Sequence, residues 1–146
     1  MVDKALGTGG RKSEKDLKIR LKTAKGRKTG STKWLERQLN DPYVAKARAA
    51  GYRSRAAFKI KEMDEKHHLF RPGMRIVDLG AAPGGWSQVA ARAIGSTDAN
   101  PLIVGIDYLE MDPIPGVTLL MKDFTDDDAP AMLIAAMGGK KADLVM

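Results

Sequence analysis

The sequence predicts an α/β protein in which helices lead into an open, parallel β-sheet. Three observations carry this. Between residues 74 and 146, four short apolar runs alternate with stretches of helical periodicity, the pattern of right-handed strand–helix–strand crossovers with helices on both faces of a sheet. The first of these runs, RIVDLG (75–80), is β-branched and short enough for a buried parallel strand. A Gly/Pro-rich turn separates it from the following helix, as at a ligand-binding strand end.

Taken in order, the first thirty residues hold ten Lys+Arg and three Asp+Glu, with Leu17, Ile19 and Leu21 the main apolar side chains of their central part. They are expected to form a basic disordered arm. Ser31 and Thr32 can cap a first helix carrying Trp34, Leu35 and Leu39. Asp41-Pro42 reads as a fresh N-cap with proline in the first turn, and the helix YVAKARAA stops at Gly51. Ser54 is expected to cap a third helix over 55–66, and Arg71-Pro72-Gly73 to form a turn. The arm thus covers 1–30, the helices 31–70, and the strand–helix units 74–146.

Past the first strand, Trp86, Val89, Ala90, Ala93 and Ile94 define one apolar helix face. LIVGID (102–107) and VTLLMKD (117–123) are the second and third strands. Asp126, Asp127 and Asp128 suit the N-terminus of the next helix, which runs through AMLIAAM to Gly138-Gly139. ADLVM (142–146) is a fourth strand, and the sheet read here is incomplete.

The net charge of +7 is divided unevenly. Residues 1–71 carry 20 basic against 8 acidic side chains, a balance of +12, and residues 72–146 carry 5 against 10, a balance of −5. A basic front half points to a polyanion partner, nucleic acid first. With no cysteine, the chain has neither disulfides nor cysteine-based metal sites. It shows no membrane-spanning run and no secretory signal. A cytoplasmic location is the expectation.

The chemistry-bearing residues sit at the carboxyl ends of the strands. Asp78-Leu79-Gly80-Ala81-Ala82-Pro83-Gly84-Gly85-Trp86 follows the first strand, and glycines there let the backbone approach a ligand at a helix N-terminus. The turn is not a dinucleotide fingerprint, because Ala82 stands where the second glycine belongs, and it lacks the G-K-[ST] of a P-loop. Asp107 ends the second strand, where a carboxylate can accept both hydroxyls of a ribose. Asp123-Phe124 ends the third and suits an adenine amino group and ring. Singly, such acidic residues more often cap turns; in sequence they suit an adenosine ligand without phosphates.

DLGAAPGGWSQ, preceded by GYRSRAAFKI and followed by GIDYLEMDPIPGV, resembles the FtsJ family of ribosomal RNA 2'-O-methyltransferases over about residues 31–146. The resemblance implies a Rossmann-like methyltransferase fold, S-adenosylmethionine as methyl donor, and an enzyme that acts as a monomer without metal. It also implies a substrate, the 2'-hydroxyl of a uridine in the 23S rRNA of the large ribosomal subunit. By motif, the family's cofactor residues fall on Gly84, Trp86, Asp107 and Asp123, and its catalytic Lys-Asp-Lys-Glu set contributes Lys59. The other three members have no counterpart in these residues, so methyl transfer is expected of a longer protein, with this chain alone inactive.

Read without the family, Lys59 lies at one edge of the stripe Ala56, Ile60 and Met63, and could simply snorkel to solvent. Phe58 lies on the opposite side and spoils the stripe. The resemblance gives Lys59 a role in holding the 2'-hydroxyl and its developing charge. His67-His68 has no partner at metal spacing and reads as a helix C-terminal pair. Trp34 reads as packing or an RNA stacking surface, and Arg53 and Arg55 as phosphate contacts. Two classes stay open: a methyltransferase, or a non-catalytic RNA- or ribosome-binding module retaining the cofactor fold.

Overall fold

The computed structural model describes Gly26 and residues 28–146. The expected basic arm therefore lies, except for its last few residues, outside the described residues. The chain divides into two compact units after Pro42.

In the first unit, α1 (Thr29–Asn40) begins two residues earlier than expected. Ser31 and Thr32 lie inside the helix, and both of their backbone N–H groups donate to the Lys28 carbonyl, at 3.0 and 3.2 Å. Extended Lys28 provides the cap with its backbone alone. No α1 residue is buried, and Trp34 and Leu39 are exposed.

All but the first residue of α2 (Pro42–Ala49) falls in the second unit, and the helix starts on its proline as the sequence implies. It ends where Tyr52 N–H donates to the Ala47 carbonyl at 2.8 Å across Gly51, whose φ is +75°. In α3 (Ala56–His67), Arg55 rather than Ser54 holds the cap position, without a side-chain cap. The strands are β1 (Ile76–Leu79), β2 (Ile103–Asp107), β3 (Val117–Met121) and β4 (Leu144–Val145). Helix α4 (Gly85–Ile94) lies between β1 and β2, and α5 (Ala129–Ala136) between β3 and β4. Each strand is shorter than its sequence run, because the ladder covers only the residues that find a partner.

All pairings are parallel, in the order β3-β2-β1-β4. The expected α/β class and parallel sheet are thus present. One sheet face holds Ile76 and Ile103, which pack with Val89, Ala90 and Ile94 of α4 and Ala57 and Ile60 of α3. By the two-residue alternation of a strand, Val104 and Ile106 point to the opposite face and are equally buried. At about 25 cal/mol per Å² of apolar surface, this two-sided burial is the main stabilising contribution. The β4 edge is sparser. Its ladder register is Ile76–Leu144 and Val77–Val145, extended by Leu79 N–H donating to the Met146 carbonyl at 2.9 Å, and Val145 is exposed.

This order puts the carboxyl end of β1 at the switch point, with β2 on one side and β4 on the other. Open α/β sheets bind ligands there.

Candidate active site

The turn after β1 is fixed by backbone pairing to β2. The N–H groups of Gly80 and Ala81 both donate to the Ile106 carbonyl, at 2.9 and 3.1 Å. Ala82 N–H donates to Asp107 Oδ2 at 3.0 Å, and Leu109 N–H to Asp107 Oδ1 at 2.8 Å. Asp107, 7% exposed, therefore ties the turn to the end of its own strand.

The glycines of the turn serve different ends. Gly80 has φ +75° with open space where a Cβ would stand, and it lines the cavity, so backbone is bared to any ligand. Gly84 has φ +111° at the α4 N-cap, and a Cβ there would sit 2.5 Å from Ile114 Cδ1. Gly85 faces α3, where a Cβ would meet Ser54 Oγ at 2.5 Å. This last glycine, read from the sequence as part of a ligand turn, serves a close helix approach. Trp86 closes the same seam, its indole Nε1–H donating to the Ala56 carbonyl at 2.9 Å.

The resulting cavity, about 330 Å³, has Asp78, Gly80 and Ala81 along its sheet side, with Lys59, Gly85, Trp86 and Met146 also in its lining. Lys59 is an exposed residue on α3. Of the sequence-predicted set, the cavity brings Lys59 and Trp86 together. Gly84 adjoins the lining through Gly85, while Asp107 and Asp123 are not among the lining residues. Asp123 lies beyond β3, and its Oδ1 accepts from Thr125 N–H at 2.9 Å and the Thr125 hydroxyl at 2.6 Å. Those bonds stabilise the carboxylate and hold its pKa below the ordinary value.

Asp78 is the residue to which the sequence reading gave no role. It is 3% exposed, lines the cavity, and accepts the Ser87 hydroxyl at 2.6 Å. Burial pushes its pKa above the ordinary carboxylate range against the Ser87 hydrogen bond, and the Asp107 charge adds to the rise. The available signal was a carboxylate inside an otherwise apolar strand.

One expectation is corrected. Arg53, read as a phosphate contact, is committed to the protein: its guanidinium donates to the Asp112 and Pro113 carbonyls, both at 2.5 Å. It pins the β2–β3 connection, which carries Ile114 against Gly84. Asp126, Asp127 and Asp128 do stand at the N-terminus of α5, Asp128 at the cap position without a side-chain cap bond, and Lys122 pairs with Asp126 at 2.9 Å and Asp128 at 2.8 Å.

Among the described residues, no three His, Asp or Glu side chains group as a metal site, and no helix is long and apolar enough to cross a membrane.

The FtsJ-like methyltransferase model matches residues 52–146. Ribosomal RNA large subunit methyltransferase E of Xanthobacter autotrophicus is 63% identical over 130 residues, covering 89% of this chain and 51% of the relative. The protein of that name from Brucella ovis is 56% identical over 142 residues, covering 95% and 59%. The chain thus spans about half the length of the curated relatives it matches. A crystal structure of a Plasmodium falciparum protein assigned as a ribosomal RNA methyltransferase superposes with a TM-score of 0.55 at 34% identity, over 64% of this chain and 54% of that one. The strand order, the turn after β1 and these similarities agree, and the chain belongs to the FtsJ-like methyltransferase family.

Proposed function

We propose that these residues form the donor-binding and hydroxyl-holding part of an RNA 2'-O-methyltransferase. It uses S-adenosylmethionine and acts on a uridine ribose in the 23S rRNA of the large ribosomal subunit, as a cytoplasmic monomer. The observation that carries the reading is Lys59 in the lining of a cavity that shares its space with the bared backbone of Gly80. The residues fit such a donor. Gly80 offers backbone where a side chain would obstruct, and the buried Asp78 carboxylate faces the same space. Asp107 and Asp123 are assigned to the ribose hydroxyls and adenine by the family resemblance.

The donor supplies an electrophilic methyl group. In the transfer a carbon–oxygen bond forms at the ribose 2'-oxygen, the sulfur–methyl bond breaks, and the hydroxyl proton leaves. Lys59 holds the hydroxyl in place and stabilises negative charge growing on its oxygen. The proton acceptor falls, by the resemblance, on a second lysine with no counterpart in these residues.

The test is calorimetric titration of S-adenosylmethionine, paired with transfer of a labelled methyl group to undermethylated large subunits by a protein of the relatives' length carrying this sequence. The product should resist alkaline cleavage at one uridine. Asp107→Ala should weaken donor binding by about 1.5–3 kcal/mol, the range for hydrogen bonds to charged groups. Unchanged affinity in that variant removes Asp107 from the donor site, and methyl transfer to a base instead of a 2'-oxygen overturns the reaction class.

A further inference from the structure

Phe58, which interrupts the apolar stripe of α3, has a place in the structure. Tyr52 meets it edge-on with ring centroids 5.7 Å apart at 84°, and Tyr43 tilts onto it at 6.3 Å and 59°. Tyr43 is the outermost of the three and 50% exposed. Two cations attend its ring: Lys46 Nζ lies 5.5 Å and Arg55 Cζ 6.0 Å from the centroid. Tyr43, Arg55, Phe58, Lys59 and Glu62 line a notch of about 180 Å³. Lys59 also lines the cavity at the glycine turn, so one side chain belongs to both spaces.

We propose that this notch is the subsite for the base of a nucleotide flanking the methylated one, stacked on Tyr43, with Lys46 and Arg55 holding its phosphate. The inference rests on the RNA reading above and adds a position to it. The space is below the roughly 300 Å³ at which whole small-molecule sites begin, and suits one flat ring system. An exposed aromatic ring beside cations is how single-stranded nucleic acid is gripped, the ring taking the base and the cations the backbone. Charge sets the direction of the nucleotide. Glu62 repels a phosphate, so the base edge faces Glu62, where amino groups can donate, and the phosphate lies by Lys46 and Arg55. Half of the Tyr43 surface stays in water.

The experiment uses the chain and a single-stranded uridine oligonucleotide carrying one 2-aminopurine, whose fluorescence is quenched when it stacks. Wild type should quench it, and Tyr43→Phe should do the same. Tyr43→Ala should lose the quench and about tenfold in affinity, within the range for one stacked base, without changing the salt dependence. Tyr43→Leu keeps apolar cover on Phe58 but removes the ring face, and should behave like Tyr43→Ala with wild-type thermal unfolding. Lys46→Ala and Arg55→Ala should each flatten the salt dependence by about one unit of slope while keeping the quench. Quench and affinity unchanged in Tyr43→Leu overturn the subsite and leave the RNA reading standing. Absence of any binding by wild type overturns both.

Discussion

At the carboxyl ends of β1 and β2, Asp78 and Asp107 are 3% and 7% exposed, and the turn after β1 is held by three backbone N–H donors at 2.9–3.1 Å. On the helix side, Lys59 and Arg55 are exposed and Tyr43 half so. One wall is shaped by the same interactions that fold the protein. The other is hung on the fold by side chains. The difference matches the proposed ligands: a small donor needs a preformed, narrow site, whereas an RNA strand is met by cations and a ring that adapt to it. It also separates the consequences of mutation. Changes in the turn after β1 should cost stability and donor affinity together, and changes on the helix side should cost activity or RNA affinity alone.

The sharpest separation is expected at Lys59. In a protein of the relatives' length, Lys59→Ala should lower methyl transfer by about a hundredfold or more, as for removal of an electrostatic or acid–base group. Donor affinity and thermal unfolding should stay near wild type, because the side chain is exposed and its role belongs to the transition state. A variant that keeps most of its turnover would return Lys59 to a snorkelling surface residue. One that unfolds early would break the comparison between the two walls.

The converse is expected at the turn. Gly84→Ala introduces a Cβ at φ +111°, where left-handed backbone costs a side-chain-bearing residue about 1–3 kcal/mol, and sets it 2.5 Å from Ile114 Cδ1. Gly80→Ala carries the backbone cost alone, since nothing lies within 4 Å of its Cβ. Denaturant melts should therefore rank Gly84→Ala as the more damaging. Ile114→Val deletes the atom that collides, so the double variant Gly84→Ala/Ile114→Val should lose less stability than the two single losses combined. Strict additivity would show that Ile114 swings aside at no cost.

How much of this was legible in the sequence differs between the two walls for physical reasons. The four strands, α4 and the turn were readable because apolar periodicity and Gly/Pro punctuation are local signals. Helix starts were misread twice. Ser31, Thr32 and Ser54 are the residue types that cap, but Lys28 and Arg55 hold the cap positions with backbone alone. Packing placed Ser54 against Gly85 instead. Lys59 and Trp86 were named and share a cavity. What the sequence could not show were pairings between distant segments. Arg53 bonds Asp112 and Pro113 across about sixty residues, Ser87 bonds Asp78 across a helix turn and a loop, and Tyr43 meets Phe58 from another helix. None of these has a spacing that marks it in advance.

The smallest effect concerns Asp78, and it tests whether burial or hydrogen bonding dominates on the sheet side. Its pKa is raised above the ordinary value of 3.8, first by burial, against the Ser87 hydrogen bond and with help from the Asp107 charge. Between 3.8 and that raised value the folded protein keeps a proton that the unfolded chain releases. Stability from this group is therefore full below 3.8 and is lost as the pH rises through the folded pKa. Asp123 and Asp128 run the other way. Bonds from Thr125 and Lys122 lower their pKa values, so their contribution is present above 3.8 and lost on acidification. These opposing slopes are common to wild type and a variant at Asp78, and they cancel in the difference. Asp78→Asn stays neutral throughout and can still accept the Ser87 hydroxyl on its remaining carbonyl oxygen. The variant should be more stable than wild type at neutral pH, with the gain shrinking on acidification and vanishing below 3.8. Denaturant melts across that range give the answer. A variant less stable than wild type at neutral pH would mean that the charge-assisted bond from Ser87 outweighs the cost of burying the carboxylate.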